Sequence, residues 1–302
     1  MSPRVACAGE CMVELREVAD GSLRRGYGGD TLNTAVYLAR LGVSVDYVTA
    51  LGDDPWSDEM LAGWRTEGVG TGHVHQLHAR LPGLYIIQTD ATGERRFSYW
   101  RDSAAARQLF DHVDVEALSG FDVIYVSGIT LSIFAPDARE TLFATLGRAR
   151  ERGGRVVFDT NFRPRGWPDR DVARALYRRM FGVADLLFAS TEDLTLLFGL
   201  DGEAELRGFA AGREIVLKAE HPACRVLHDG RDVTVEARPV QQVVDTTAAG
   251  DSFAAAYLAA RLSGADPEAA ARAGHDLAGL VVGHPGALIP RAAMVHLLPA
   301  RR

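Results

Sequence analysis

Short apolar, β-branched runs alternate with longer helical patterns over most of this chain, and that alternation restricts the fold more than any other feature. Strands are predicted at 4–9 (RVACAG), 45–50 (VDYVTA), 122–127, 155–160, 185–190, 214–218, 223–228 and 232–236. Helical patterns occupy 31–41, 57–68, 136–154, 169–182, 192–199, 203–211, 251–263 and 267–283, with Gly153-Gly154 as a stop signal. Strands separated by helices of this length pair mainly in parallel, because the crossovers lay helices over both faces of the sheet. With 302 residues, 47% hydrophobic and 24% charged, the chain can bury one large core of that kind. The expected fold is α/β, a mainly parallel central sheet covered on both faces.

Two stretches break the alternation. Residues 11–28 and 83–102 read with period 2 and carry turn signals at Asp20-Gly21 and Thr92-Gly93. They are expected to form hairpins outside the main sheet, together a small β-sheet lid of the sort that keeps water from a reactive phosphate. No internal repeat, low-complexity segment or linker interrupts the sequence, so residues 1–302 are expected to be one domain bearing that lid.

Several classes of function are disfavoured. No apolar run approaches the roughly 20 residues that span a bilayer, and MSPRVACAGE reads directly as a first strand, so a cytoplasmic location is expected. Cys7, Cys11 and Cys224 are odd in number and form no C-x-x-C pair, as reduced, half-buried small residues would. A net charge of −7 argues against nucleic acid or an anionic membrane as partner. Any anionic ligand must be held by a few local cations. Of 33 basic residues a single one, Lys218, is a lysine, at the C-terminal end of the strand REIVLK. Ligands of open α/β sheets collect at such strand ends.

The most informative motif is D-T-T-A-A-G-D-S-F, Asp245 to Phe253, followed at once by the apolar run AAAYLAARL. Small residues leave the backbone open, and a helix starting near Asp251 aims free N–H groups into that opening, an anion site. An aspartate there repels an anion unless it has a task such as taking a proton from an attacking hydroxyl. An anion cradle beside a base is what phosphoryl transfer to an alcohol requires. The plainer reading is an N-capping aspartate on a core helix.

Other clusters fall at element ends. Gly28-Gly29-Asp30-Thr31-Leu32-Asn33 joins the first hairpin to a helix; its glycines would let backbone approach a ligand, and Asp30 and Asn33 offer partners for hydroxyls, although a turn with a helix cap also explains it. Neither a G-x-G-x-x-G nor a G-x-x-x-x-G-K-[ST] pattern fits the chain. Tyr99 and Arg101 share one face of the second hairpin with Trp100 on the other, and Tyr85 lies on the same expected sheet. A phenol and a guanidinium facing a cleft suit a hydroxylated carboxylate; an ordinary surface strand is the alternative. Asn161 and Arg163 follow strand 155–160 directly, where Arg163 could grip a carboxylate or phosphate in bidentate fashion or simply bridge at the surface. Ser190-x-x-Asp193 could orient a hydrated Mg²⁺ through water or cap a helix. His73-x-His75-x-x-His78 has metal-like spacing but no further ligand cluster, so scattered surface histidines are expected there, and no protein-held metal.

The core D-T-T-A-A-G-D resembles the C-terminal signature of the ribokinase-like (PfkB) carbohydrate kinases. GECMVEL, GYGGDTLNTAVYLARLG, YVTALGDD, LPGLYIIQTDATGERRFSYWRDSAAAR, SGITL, FDTNFRPRGW and GHPGALIPR resemble, in order and spacing, the ketodeoxygluconate branch of that family. The resemblance implies a ribokinase-like fold and ATP-dependent phosphorylation of 2-keto-3-deoxygluconate at its terminal (C6) hydroxyl, with ribose, fructose or 5-keto-2-deoxygluconate as other acceptors within the fold. A non-catalytic sugar-acid sensor is the reading from a different class. By the same resemblance Asp251 is the base, and Ala248, Ala249 and Gly250 line the anion hole. Gly28, Gly29, Asp30, Asn33, Tyr85, Tyr99, Arg101 and Arg163 hold the sugar acid. Asn161, Ser190, Lys218, Gly250 and His275 lie on the nucleotide side, with Mg²⁺ on the ATP phosphates and reached through water from Asp193. A homo-oligomer is also expected. The chain departs from the family after Lys218: Ala219-Glu220-His221 stands where glycines are usual, placing an anion near the expected phosphates or ribose.

Overall fold

The computed structural model describes residues 3–18, 20–89, 95–219 and 221–297. In chain order its elements are β1 (Arg4–Ala8), β2 (Met12–Glu17), β3 (Leu23–Gly28), α1 (Asp30–Arg40), β4 (Ser44–Gly52), α2 (Pro55–Glu67), β5 (Val74–Leu77), β6 (Gly83–Thr89) and β7 (Arg95–Trp100). There follow α3 (Leu109–His112), α4 (Val115–Leu118), β8 (Val123–Ser127), α5 (Gly128–Ile133), α6 (Pro136–Glu151), β9 (Arg155–Asp159), α7 (Arg170–Val183), β10 (Leu186–Ser190) and α8 (Thr191–Phe198). The chain continues through α9 (Gly202–Arg207), β11 (Glu214–Lys218), β12 (Ala223–His228), β13 (Arg231–Glu236), α10 (Ala249–Leu262) and α11 (Pro267–Val281).

A nine-stranded sheet runs in the order β13-β12-β11-β10-β9-β8-β1-β4-β5. Its pairs from β11 through β5 are parallel, and only β12 and β13 are antiparallel. Alternation along each strand sorts the apolar residues onto two faces. On one face Val5, Cys7, Tyr47, Tyr125 and Phe188 pack with residues of α1, α2, α10 and α11. On the other, Ala6, Ala8, Val126, Phe158 and Leu187 pack with residues of α5, α6, α7 and α8. This is why the central strands read as continuous apolar runs. All three cysteines are buried and unpaired.

The expected hairpins form a second, four-stranded sheet in the order β3-β2-β6-β7, and β2 pairs in parallel with β6 to join them. Gly21 in the first turn adopts φ of +79°, which a side chain would oppose. The turn at Thr92-Gly93 lies outside the described residues.

Several local features differ from expectation, the one-turn helices α3 and α4 among them, being too short to show a period. Strand β5 is not foreseen by the sequence pattern; at four residues it is too short to show a period, and it carries His75 on the sheet edge. Helix α5 escapes for the same reason, its six residues being fixed by a reciprocal Ser127–Thr130 cap. Helix α10 starts at Ala249, two residues before the expected Asp251, because Ala248 turns the backbone with a left-handed φ of +61°. Asp251 therefore lies in the first turn and does not cap the helix. A buried Glu214 at the start of β11 anchors α10 by accepting from Tyr257 (2.6 Å) and Arg261 (2.8 Å).

Candidate active site

Because seven neighbouring strands of the large sheet run the same way, their C-terminal ends share one edge. There the chain leaves β1 at Glu10, β9 at Asp159, β10 at Ser190 and β11 at Lys218. Helices α1 and α10 converge on the same edge, and the small sheet brings Met12, Tyr85, Phe97 and Tyr99. Together these enclose a cavity of about 420 Å3. Its wall contains the predicted Gly28, Gly29, Asp30, Asn33, Tyr85, Tyr99, Asn161, Arg163, Ser190, Asp193, Lys218, Ala248, Ala249, Gly250 and Asp251. Arg101 lines a larger adjoining chamber of about 1470 Å3, which shares Gly29, Asp30, Tyr99 and Arg163 with the first. His275 lines neither cavity: it packs edge-on against Phe253 and bonds the Val235 carbonyl at 3.1 Å.

Asp251 is held at the cavity wall by Asn33, whose Nδ2 donates at 2.8 Å. Burial pushes its carboxyl up to about 8; the nearby charge of Asp30 adds to the rise, and the Asn33 hydrogen bond and Lys218 oppose it. A carboxyl tuned to that range can take a proton near neutral pH. The Oδ1 of Asn33 is buried and unpartnered among the described residues, so a hydroxyl arriving beside Asp251 finds a ready acceptor. Beside it the start of α10 presents the amides of Ala248 and Gly250, while the Ala249 N–H donates to the Thr246 carbonyl at 3.2 Å. Asp245, the first residue of the motif, closes this loop. Burial raises its pKa, but bonds from Thr247, the Gly286 amide and Arg16 outweigh that and hold it well below the usual carboxylate range.

The paired glycines serve the protein before any ligand. A Cβ at Gly28 would meet the Tyr85 hydroxyl at 2.1 Å, and one at Gly29 the Glu10 carbonyl at 2.2 Å. They let the small sheet close on the large one and bring Tyr85 and Tyr99, paired across β6 and β7, to ring centroids 5.9 Å apart over the cavity. Tyr85 donates to Glu14. Asn161, with φ of +27°, donates from Nδ2 to Asp30 at 2.7 Å and ties the end of β9 to the start of α1.

Lys218 lies 3.3 Å from Asp159 and close beside Gly250, so the lone lysine faces the α10 turn. Burial raises the Asp159 carboxyl, against the pull of Lys218. Asp159 was not singled out from the sequence, although an acid ending an otherwise apolar strand is a visible signal; Glu10 after β1 is its counterpart. Glu220, the departure after Lys218, lies outside the described residues. Ser190 caps α8 by accepting from the Asp193 amide at 3.0 Å, as the plainer reading had it, yet also lines the cavity. Asp193 accepts from Thr160 at 2.6 Å and sits 3.4 Å from an Arg163 that is otherwise exposed.

Among the described residues no three His, Cys, Asp or Glu side chains are grouped to hold a metal ion. His73 packs edge-on against Phe121, and His78 bonds Asp53. Mg²⁺ commonly arrives on a ligand's phosphate oxygens and keeps several waters of its own.

A model of the pfkB family carbohydrate kinases matches residues 2–293. The chain belongs to that family. It is 44% identical to the 2-dehydro-3-deoxygluconokinase of Escherichia coli (strain K12) over 97% of this chain and 99% of the relative. Identity to the Haemophilus influenzae enzyme of the same name is 37%, over 97% and 98%. The fold superposes on a fructokinase with bound ATP from Xylella fastidiosa with a TM-score of 0.86 at 24% identity, covering 98% of both chains. A 2-dehydro-3-deoxygluconokinase from Thermotoga maritima gives a TM-score of 0.85 at 24% identity, over 95% of this chain and 96% of that one. The ribokinase-like sheet and its small companion sheet are thus the family's architecture.

Proposed function

We propose that this chain is a 2-dehydro-3-deoxygluconokinase, transferring the γ-phosphoryl group of Mg-ATP to the C6 hydroxyl of 2-keto-3-deoxygluconate. The observation that carries it is Asp251 in the first turn of α10, bonded to Asn33, beside helix amides and in one cavity with Tyr99 and Arg163. The substrate class rests on the 37–44% identity to relatives of that name over almost their full length.

Asp251 takes the proton as the hydroxyl oxygen bonds phosphorus and the bond to ADP breaks. The amides of Ala248 and Gly250, joined by that of Ala249 as it leaves the Thr246 carbonyl, receive the charge of the moving phosphoryl group, and Lys218 adds a cation beside them. Tyr85 and Tyr99 cover the sugar, Asn33 and Asp30 fix hydroxyls, and Arg163 with Arg101 faces the carboxylate. Mg²⁺, carried by the nucleotide, would be reached through water from Asp193, supplying charge neutralisation across the phosphates.

The small sheet closes over the cavity as a lid and excludes water. Its other face carries Leu84, Ile86 and the exposed Trp100, an apolar surface that supports pairing of two copies. The reading places the enzyme in the cytoplasm, where ATP is present and its buried thiols stay reduced.

A coupled assay of ADP release across sugar acids and neutral sugars tests the proposal. Turnover with 2-keto-3-deoxygluconate well above that with ribose or fructose is expected. Equal or faster turnover with a neutral sugar, or no release with the acid, would overturn it.

A further inference from the structure

The larger chamber carries a charge pattern that phosphoryl transfer leaves unused. Six arginines face it, Arg96, Arg101, Arg107, Arg139, Arg163 and Arg165. Arg101 is neutralised by the buried Glu10, and Arg163 leans on Asp193. Arg107 and Arg139 have no such contact partner among the described residues. The partly buried Arg107 makes no side-chain hydrogen bond or ion pair there. Arg139 is held rigidly from behind: its Nε donates to the Leu131 carbonyl at 2.9 Å, and its guanidinium lies over the Trp167 ring at 5.0 Å. Neither contact uses its two terminal nitrogens. Burial, and then the like charge of Arg107, lowers the pKa of Arg139, so the two cations face one space and repel. The N-terminus of the 16-residue helix α6 opens into the same chamber through Ala135 and Pro136, with no side chain capping it. The almost wholly buried Glu10 is paired with Arg101 and acts on Arg107 only through charge, with no direct contact.

Arg139, held from behind with its terminal nitrogens unused, Arg107, which makes no direct ion pair, and an uncapped helix end together suit a dianion, and bidentate arginines suit phosphate oxygens. We propose that this chamber is a second anion site, on Arg107 and Arg139, that takes a phosphate monoester beside the sugar-acid pocket. An occupant there obstructs the acceptor's entrance, because both cavities share Gly29, Asp30, Tyr99 and Arg163. The site thus gives the enzyme inhibition by a phosphorylated sugar acid, competitive with the acceptor. That regulatory consequence rests on the sugar-acid kinase reading; the anion site does not.

The test uses the whole enzyme saturated with magnesium and a non-hydrolysable ATP analogue, so that the α10 turn is filled. Calorimetric titration with inorganic phosphate, and separately with 2-keto-3-deoxy-6-phosphogluconate, should show one site per chain. Arg107→Gln and Arg139→Gln should each weaken binding at least about tenfold, the value of a charged hydrogen bond, while kcat at saturating substrates holds. Arg139→Lys should recover part of the loss, separating lost charge from lost folding. Equal affinity for the two ligands would make free phosphate the natural occupant, and tighter binding of the ester would make it the product class. Absence of binding in the wild type, or binding unchanged in both Gln variants, overturns the site. Binding that persists in a protein inactive on sugar acids would sink the kinase reading and leave the site standing.

Discussion

The two cavities meet at Arg163 and Tyr99 but are built on opposite electrostatic principles. The smaller has Asp30, Asp159, Glu192, Asp193 and Asp251 against Arg163 and Lys218. The larger has six arginines against Glu10, Glu17, Asp30 and Asp102. In the acidic cavity the polar groups bond one another across elements: Asn161 to Asp30, Asn33 to Asp251, Lys218 to Asp159. They stand on strand ends and helix first turns, so their positions follow from the sheet. The basic chamber is walled by the small sheet, by α5 and the start of α6 and by the loops between them, and Arg107 and Arg139 keep their terminal nitrogens free. A site that must tune one carboxyl is preorganised, whereas one that collects anions keeps cations uncommitted. On the proposed function, the chemistry falls in the first cavity and ligand choice at the junction.

The strongest way to break that division is at Asp251. Asp251→Asn should lower kcat by at least about 10²-fold, the lower end for a general base, while sugar-acid binding holds. Retention of more than a tenth of the activity would reduce Asp251 to a structural role. The same variant tests the tuned carboxyl through stability. Between the usual carboxyl value near 4 and the folded value of about 8, the folded wild type keeps a proton that the unfolded chain has lost. Wild-type stability must therefore fall as pH rises across that window. The amide introduced by Asp251→Asn does not titrate, so the variant's Tm relative to wild type should climb from pH 5 to pH 8. A constant gap would mean that the carboxyl is ionised throughout.

At the junction, Arg163→Ala should raise KM for an acidic sugar roughly 10- to 150-fold, as loss of a charged hydrogen bond implies, and that for a neutral sugar of equal length far less. Equal losses would move Arg163 to the phosphate side and blur the two cavities. Deeper in the acidic one, Lys218→Ala should weaken ATP about tenfold or more and the sugar acid little, with Lys218→Arg only a partial rescue, since an ammonium is compact and a guanidinium forked. If ATP affinity, measured by titration, is unchanged in Lys218→Ala, the lysine serves only to neutralise Asp159.

Much of this organisation was legible in the sequence, and the reasons are physical. Strands such as 155–160 and 185–190 are buried on both faces and declare themselves as apolar runs, and residues at their ends, Asn161, Ser190 and Lys218, share one edge once the strands are parallel. The two hairpins were legible from period 2, but not the parallel β2–β6 contact that turns them into one sheet, because it joins residues about 70 apart. The basic chamber was legible only in part: Tyr99, Arg101 and Arg163 were expected at the site, whereas Arg107 and Arg139 lie in unrelated segments of an arginine-rich chain that only the fold brings together. His275 is the contrast: expected by resemblance on the nucleotide side, it lines neither cavity, and its side chain is engaged with Phe253 and the Val235 carbonyl.

The smallest expected effect concerns how the anion-binding turn is held. Ala248 is one of four described non-glycine residues with positive φ, and it precedes the helix whose first turn carries Asp251. A left-handed alanine costs about 1–2 kcal/mol in steric strain. Glycine relieves that but adds freedom to the unfolded chain worth about 0.4–1 kcal/mol. Ala248→Gly should therefore stabilise the enzyme by under about 1 kcal/mol, a Tm rise of about 2 °C for a domain of this size. Ala248→Val should do the reverse, since a β-branched residue tolerates that conformation worse than alanine. Because the turn lines the acidic cavity, its strain is tied to phosphoryl transfer, and kcat in Ala248→Gly is the informative number. Unchanged kcat with a higher Tm would mark the left-handed alanine as a tolerated defect. A fall in kcat despite greater stability would mean that the methyl group itself sets the position of the amides beside Asp251.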